Sequence, residues 1–262
     1  MIEKHLGGRL RPRTATLSAM ERAIETFVQG YCFTRSFTHP YVAGRAGPLW
    51  VMRDGPRSGA KAARREEFVS YGVAPEQVHR LAGKHAHGHY CICALHGPDD
   101  DGDAWRDSFK ELGYRLGHSE FLMVHDLKRI PKVPVPVVIQ RVDNEDLADR
   151  LAKAARARQI LTQHLGENGL QRSYVAVDGD ELVGWVTSIV TGDTTWCANM
   201  FVRKPFRRRG IARSLMCRML RDDRAAGADM AVLTASHAGA KLYPVVGYRE
   251  IGTLMVFTPK RK

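Results

Sequence analysis

The sequence predicts an α/β (α+β) protein, with a mixed, mostly antiparallel sheet flanked by helices and with two units in tandem. Its length of 262 residues suits two units of about 130 residues each. Strand-like and helix-like hydrophobic patterns alternate along the C-terminal half. Between the halves, residues 131–136 hold three prolines, which favour extended backbone. We therefore expect an N-terminal domain at 1–130, a proline-rich linker at 131–136 and a C-terminal domain at 137–262.

The C-terminal unit predicts the element order β-α-β-β-β-α-β-α-β. An apolar strand at 137–142 is followed by Asp143 and Asn144, which suit the first residues of a helix. A hairpin is expected at 173–190, because Asp178-Gly179-Asp180 offers turn residues between two apolar runs. The remaining strands are expected at 196–202, 230–234 and 254–257, and the remaining helices at 210–224 and 238–246.

The N-terminal unit shows a less regular repeat of this order of elements. Strands are expected at 49–53, 89–95 and 121–124, which match in order the C-terminal segments 199–203, 230–234 and 254–257. A helix is expected at 105–112, and it leads into Gly113-Tyr114-Arg115 as the last C-terminal helix leads into Gly247-Tyr248-Arg249. The ordered set predicts an internal duplication whose N-terminal copy has diverged.

Composition narrows the class of protein. Hydrophobic residues are 44% and charged residues 26% of the chain, which is ordinary for a globular protein and excludes intrinsic disorder. Five cysteines without C-x-x-C spacing fit reduced thiols and a cytoplasmic location. No apolar run approaches the length of a membrane span, so no membrane partner is expected. Zinc binding by His85, His87, His89, Cys91 and Cys93 is an alternative to a loop that leads into a buried strand; we expect no metal.

The net charge of +12 predicts an anionic partner. The excess is +5 over residues 1–136 (20 basic, 15 acidic) and +7 over residues 137–262 (20 basic, 13 acidic). In the N-terminal half, a basic run directly precedes Glu66 and Glu67, and we interpret the whole segment as a solvated helix face. A nucleic-acid patch is the alternative. The basic run consists of Arg57, Lys61, Arg64 and Arg65.

A candidate phosphate site lies where the strand ending at Val202 passes through a basic loop into the helix that begins at Gly210. Backbone N–H groups at a helix N-terminus have no partners of their own and suit a phosphate group. Gly210 allows a close approach of the backbone, and Ala212 is too small to cover the donors. The segment lacks the spacing of a dinucleotide-binding or P-loop motif. A solvated basic loop before an ordinary helix is the alternative.

The segment Arg207-x-x-Gly210-x-Ala212 resembles the [RQ]-x-x-G-x-[GA] motif of the GNAT superfamily of N-acetyltransferases. The resemblance covers about residues 137–258 and implies a GNAT-type sheet, with a degenerate GNAT-like unit at 1–130. It also implies acetyl-CoA as co-substrate, with the loop amides on its pyrophosphate and the preceding strand on its pantetheine. Carried over by position, the cofactor-binding residues are Met200, Phe201, Val202, Arg207, Arg208, Arg209, Gly210, Ile211, Ala212 and Arg213.

A second segment is similar to another motif of this family. Ala235-Ser236-x-x-Gly239-x-x-Leu242-Tyr243-x-x-x-Gly247-Tyr248 resembles N-x-x-A-x-x-L-Y-x-x-x-G-F, with Ser236 in place of the asparagine. The resemblance implies that Tyr243 protonates the departing thiolate of CoA and contacts the cofactor, and that Ser236 lies near the pantetheine. A core tyrosine is the alternative for Tyr243. A phenol beside a departing thiolate can supply its proton.

The resemblance implies direct attack of an amine on the thioester, without an acyl-enzyme. The strand 196–200 holds no carboxylate to serve as the base, which leaves His237 or a water relay. Cys197 as an acyl nucleophile is a further alternative. The predicted function is acetyl transfer to a primary amine of a small molecule. A macromolecular amine (aminoacyl-tRNA or protein) and an inactive CoA-binding module stay as alternatives.

Overall fold

The computed structural model describes residues 18–56, 63–166 and 169–260, and within them one sheet of eleven strands runs through both halves. The strands lie in the order β1-β2-β3-β4-β11-β5-β10-β9-β8-β7-β6. Only β3–β4 and β9–β10 pair in parallel. The mixed, mostly antiparallel sheet flanked by helices is therefore confirmed. The strands are β1 (Tyr41–Ala46), β2 (Leu49–Asp54), β3 (Glu66–Tyr71), β4 (Tyr90–His96), β5 (Tyr114–His125), β6 (Val138–Arg141), β7 (Gln171–Asp178), β8 (Glu181–Thr191), β9 (Thr194–Val202), β10 (Met230–Ala235) and β11 (Arg249–Pro259).

Helices cover both faces of the sheet. The α-helices are α1 (Ala19–Arg35), α2 (Pro75–His85), α3 (Gly102–Glu111), α4 (Glu145–Ala155) and α5 (Ile211–Ala225). Helix α1 packs on the centre of one face, against Trp196 and Val232. Helix α5 packs on the opposite face, against Ala231 and Leu233. Because alternate residues of a strand point to opposite faces, the neighbours Val232 and Leu233 of β10 meet different helices.

The two halves exchange their last strands. Strand β5 of the N-terminal half lies between β10 and β11, with Ala235 opposite Phe121. Strand β11 of the C-terminal half lies between β4 and β5, with Val256 opposite Cys93. Neither half therefore completes its sheet with its own strands. The domain boundaries at 130 and 137 stay a prediction, and residues 131–136 form no helix or strand.

Most of the predicted C-terminal elements are confirmed, and one is wrong. The hairpin, the strands before and after α5, and α5 itself lie within two residues of the expected bounds, apart from a longer last strand. The expected helix at 238–246 is instead a set of turns that ends in a 3-10 turn at Pro244–Val246. Pro244 has no N–H group to donate to the carbonyl four residues earlier, so an α-helix cannot continue through it.

The N-terminal half departs further from the expectation. Helix α1 and strand β3 were not predicted, and the segment expected as a solvated helix face ends in β3, where Glu66 and Glu67 are buried. Arg57 and Lys61 lie outside the described residues. Strand β3 runs parallel to β4 as β9 runs parallel to β10, so β3, and not the predicted segment 49–53, occupies the place of β9. None of the helices in the described segments combines the length and apolar character that crossing a bilayer requires.

Candidate active site

The site begins where β9 and β10 separate. The two strands pair only between Thr194–Trp196 and Met230–Val232, and β9 then continues to Val202 paired with β8 alone. A register shift in the β8–β9 pair makes Asn199, with φ +55°, part of a bulge. A bulge turns a strand and frees its backbone groups. This separation of β9 from β10 beyond Trp196 and Val232, which we call the splay, leaves an open strand edge beside a gap in the sheet.

The basic loop follows the open strand. Arg208 and Gly210 both have left-handed backbone, with φ +67° and +83°. No hydrogen bond within the described residues engages the amide N–H of Arg208 or Arg209. The Arg207 Nε donates to the Val202 carbonyl oxygen over 2.9 Å, which ties the loop to the end of the strand. Arg209 Nη2 lies 3.2 Å from Asp178 Oδ2.

Helix α5 presents its N-terminus to the same space. Gly210 is the N-cap, and no side chain caps the helix. The first amides of a helix, here those of Ile211, Ala212 and Arg213, have no carbonyl partner within it. A methyl group added at Gly210 would meet nothing within 4 Å, so a ligand can reach the backbone there. Successive free amides at a helix N-terminus suit a phosphate group.

A buried network holds α5 in this position. Asp223, which is 0% exposed, accepts hydrogen bonds from Arg172 Nη2 at 2.7 Å, Ser188 Oγ at 2.7 Å and Thr195 Oγ1 at 3.0 Å. Burial raises the pKa of Asp223, and the Arg172 guanidinium opposes that shift. The donors come from β7, β8 and β9, so the network fixes the helix against three strands.

Tyr243 lies at the junction of the splay and a cavity. Its side chain is 9% exposed, and its ring meets that of Tyr248 edge to face at 5.8 Å between centroids. Burial raises the pKa of Tyr243 far above its usual value, with smaller contributions from Cys197 and Glu120. The phenol therefore keeps its proton throughout the physiological range and is available as a donor.

Ser236 and His237 follow β10 but face different surroundings. Ser236 Oγ accepts from the Gly239 amide at 3.2 Å and lines the cavity. His237 Nε2 hydrogen-bonds with Ser119 Oγ at 2.9 Å, and its ring stands on Phe121. His237 is not among the residues that line the cavity. The geometry thus offers no support for the imidazole as the base.

The cavity has a volume of about 520 Å³ and reaches from the splay beneath α1 into the N-terminal half. Its walls combine aromatic rings, three thiols, two carboxylates and the basic residues Arg65 and His118. The lining residues include Phe27, Tyr31, Glu67, Cys91, Cys93, Glu120, Trp196, Cys197, Asn199, Met200, Ser236 and Tyr243.

Of the predicted site residues, the structure brings Met200, Ser236 and Tyr243 together at the cavity and places residues 207–213 in one loop and helix start. Phe201 instead stacks on Trp185 at 4.6 Å between ring centroids, on the outer part of β9. Sequence reasoning missed Glu67 and Glu120. Their strands carry no motif, and only the buried pattern of Phe68 and Val69 could have signalled β3.

The cysteine and histidine alternatives gain no support. Burial raises the pKa of the Cys197 thiol, which opposes formation of the nucleophilic thiolate. Cys91 and Cys93 are buried on β4. Across residues 18–56, 63–166 and 169–260, no group of three or more His, Cys, Asp or Glu side chains has an arrangement that could hold a metal ion.

Comparison with known proteins places this site in a family. The model of the acetyltransferase (GNAT) domain matches residues 169–250, which include the splay, the loop and Tyr243. The fold is similar to a GCN5-related N-acetyltransferase from Kribbella flavida, with a TM-score of 0.62 and 17% identity, covering 91% of this chain and 96% of that one. It is also similar to a GCN5-related N-acetyltransferase from Sphaerobacter thermophilus, with a TM-score of 0.54 and 17% identity, covering 82% and 78%. Among curated proteins, none matches the sequence.

At these identities the solved structures show the fold, and the family model concerns the segment that forms the site. The segment holds both of the motifs on which the expected resemblance rests. The resemblance to N-acetyltransferases is therefore confirmed. Residues 169–250 therefore carry an acetyltransferase (GNAT) domain, and the chain is an acyltransferase.

Proposed function

We propose that the protein is an acetyl-CoA-dependent N-acetyltransferase that acts on the primary amine of a small molecule, with Tyr243 as the general acid. The observation that carries this proposal is the continuity between the splay and the cavity, with Tyr243 where they meet. A thioester lying in the splay would face the cavity from which an amine approaches. Acetyl-CoA is the co-substrate used by the family, and a cytoplasmic location agrees with the five unpaired cysteines.

The proposed co-substrate site follows the strand, the loop and the helix in order. The pantetheine amides would pair with the open edge of β9 at Met200, Phe201 and Val202, and Ser236 lies across the splay from that edge. The pyrophosphate would accept hydrogen bonds from the amides of residues 208–213, which lack protein partners in the loop and in the first helical turn. Arg207 holds the loop through Val202, and the remaining guanidinium groups add positive charge.

The proposed reaction has one acyl transfer and a closed proton balance. The amine nitrogen forms a bond to the acetyl carbon, and the carbon–sulfur bond breaks. The departing thiolate takes the proton of the Tyr243 hydroxyl. The amide nitrogen then loses a proton, which restores the tyrosine. Holding both reactants in the splay supplies much of the rate, and a backbone N–H of the open strand near Met200 polarises the carbonyl oxygen.

The size of the cavity favours a small acceptor. Its volume of about 520 Å³ lies in the range of small-molecule sites, and α1 roofs it through Phe27 and Tyr31. A macromolecular amine would have to enter beneath this helix. The macromolecular acceptor and the inactive binding module are therefore outcomes for the experiment to detect.

Substitution of Tyr243 by Phe tests the proposed acid. We expect Tyr243→Phe to lower kcat for thiol release from acetyl-CoA by about a hundredfold, because general acid catalysis typically contributes that much or more. The affinity for acetyl-CoA, measured by calorimetry, should change little. Tyr248→Phe is the matched control, because no described residue hydrogen-bonds with its buried hydroxyl and Tyr248 is not among the residues that line the cavity.

Three results would contradict the proposal. Equal losses in both tyrosine variants would make Tyr243 a packing residue. A loss of acetyl-CoA affinity with unchanged kcat would remove its role as acid. Tight binding of acetyl-CoA without thiol release across a panel of amines would indicate a binding module.

A further inference from the structure

Two carboxylates line the same cavity and both come from the N-terminal half. Glu67 lies on β3 and Glu120 on β5, and both point to the face that α1 covers. Strands β4 and β11 lie between them in the sheet. At about 4.8 Å per strand, their backbones are at least ~14 Å apart across the sheet. The cavity therefore has one carboxylate near the splay and another toward its far end.

Glu120 lies at the end of the cavity near the splay, where the acetyl group would be transferred. Phe121 lies opposite Ala235 in the β5–β10 pair, so Glu120 lies beside Ser236. Its charge also reaches Tyr243, whose pKa it helps to raise. The strand exchange thus supplies, from β5, the carboxylate that β9 lacks. A carboxylate at this point can take a proton from an ammonium group that enters the splay.

Glu67 lies at the end of the cavity away from the splay and is 3% exposed. Its carboxylate accepts hydrogen bonds from the hydroxyls of Tyr41 and of Tyr31, the latter over 3.4 Å. Arg35 Nη1 lies 4.0 Å from Glu67 Oε1, beyond hydrogen-bonding distance, and donates instead to the Tyr31 hydroxyl at 3.0 Å. Two hydrogen bonds leave lone pairs of the carboxylate free. The carboxylate therefore has room for a cationic group in the cavity beside its ion pair with Arg35.

In the N-terminal half, β3 and β4 do not offer the opening between strands that β9 and β10 offer. Strands β3 and β4 stay paired along the whole of Glu66–Tyr71, so they do not open as β9 and β10 do. Only residues 72–74 separate β3 from α2, and the N-cap Ala74 makes no side-chain cap. The place of Glu67 in the wall of the shared cavity therefore offers it a use other than cofactor binding.

We propose that Glu67 and Glu120 together form the acceptor site, and that the acceptor is a small linear amine carrying a second cationic group. Glu120 contacts the reacting ammonium and receives its proton, and the freed amine attacks the thioester. Glu67 binds the second cation. Cys93 of β4 and Val256 of β11 line the cavity between the two carboxylates, and Phe27 and Tyr31 of α1 line its other wall. This inference rests on the proposed function and names its substrate class.

An acceptor panel tests the substrate class. Linear α,ω-diamines are compared with n-alkylamines and ω-amino acids of the same chain length, by thiol release and by calorimetry in the presence of CoA. We expect kcat/KM to be about tenfold to a hundredfold higher for the best diamine than for its matched monoamine, since a charge-assisted contact contributes about that factor. The ω-amino acids should be the poorest acceptors.

Substitutions of the two glutamates test which cationic group of the acceptor each carboxylate binds. Glu67→Gln should raise KM for the diamine about tenfold or more and should lower kcat/KM for the monoamine by a much smaller factor. Glu120→Gln should lower kcat for both acceptors by about a hundredfold. Glu66→Gln is the control: Glu66 lies on the same strand but on the other face, where it bonds the His87 amide and Arg53. It should leave the ratio of diamine to monoamine activity as it is.

The outcomes separate this inference from the proposed function. Acetyl transfer to monoamines with no preference for diamines, or an equal effect of Glu67→Gln on both acceptors, overturns the two-carboxylate site and leaves the transferase intact. Diamine binding that depends on Glu67, without thiol release, supports the site and overturns the transferase. Absence of Glu67-dependent diamine binding in calorimetry overturns the inference in every case.

Discussion

Glu67 is a carboxylate on a strand whose neighbouring positions bury apolar side chains. Phe68 and Val69 are almost fully buried, and Glu67 itself is 3% exposed. Burial raises its pKa to about 7, and the Arg35 guanidinium and the Tyr31 hydroxyl oppose the shift. Such a residue weakens the fold at neutral pH, and strongly perturbed carboxylates in clefts are typical of functional sites.

Glu67→Gln should therefore stabilise the protein at pH 8. The native pKa of about 7 exceeds the unfolded value of 4.5, so the native state binds more protons between these values and the wild type loses stability as the pH rises through them. We compare the free energy of unfolding of the variant with that of the wild type at each pH. The difference should be roughly 2–3 kcal/mol more favourable to the variant at pH 8 than at pH 4. Urea unfolding at the two pH values measures this change, and the same variant at pH 4 serves as its own control. A difference that does not depend on pH would show that Glu67 ionises normally.

At the scale of the element, helix α5 has a glycine at each end, and the proposed phosphate site lies at the N-terminal one. Gly210 precedes the helix with φ +83°, and Gly227 follows it with φ +92°. An added methyl group meets nothing within 4 Å at either position. A side chain in this backbone region costs about 1–2 kcal/mol, so the two substitutions should destabilise the protein equally.

Gly210→Ala should in addition weaken binding of acetyl-CoA by about tenfold or more, because its methyl group occupies the space where the pyrophosphate approaches the amides. Gly227→Ala should leave the affinity unchanged. Calorimetry with acetyl-CoA and with a pantetheine thioester that lacks the diphosphate separates weaker binding of the diphosphate from a general loss of affinity. Equal affinities in the two variants would place the diphosphate elsewhere.

The same helix shows how far the sequence predicts the site. Gly210 and Ala212 follow an apolar strand directly, so a local pattern specifies the loop, and Tyr243 lies in a second local pattern. Glu120 reaches the cavity through the pairing of segments more than a hundred residues apart, Phe121 with Ala235, and Glu67 through the pairing of β3 with β2 and β4. No local periodicity encodes that pairing. The predicted helix at 238–246 is wrong because Pro244 lacks the N–H group that a helix needs there, and this is a property of the sequence itself.

At the scale of the whole molecule, the exchanged strands make the halves depend on each other. Strand β11 pairs only with β4 and β5, which both belong to the N-terminal half. Strand β10 pairs on one side with β5, and α1 covers Trp196 and Ile189 of the C-terminal half. The duplication was predictable from repeated segments such as Gly113-Tyr114 and Gly247-Tyr248. The exchange was not, because each strand has the same pattern whichever half it completes.

Residues 131–262 alone should therefore fail to form the native sheet, although they contain the whole family domain. Without β4 and β5, β11 has no partner strand, and β10 exposes the edge that carries Ala231–Ala235. We expect the isolated fragment to unfold without a cooperative transition and not to bind acetyl-CoA, as followed by circular dichroism and calorimetry. Co-expression with residues 1–130 should restore both properties in a two-chain complex, because the exchanged strands hold the pieces together through backbone hydrogen bonds and the core beneath α1. An isolated fragment that unfolds cooperatively and binds acetyl-CoA as tightly as the full chain would show that the C-terminal half completes its own sheet, and the origin of Glu120 in the site would then have to be sought elsewhere.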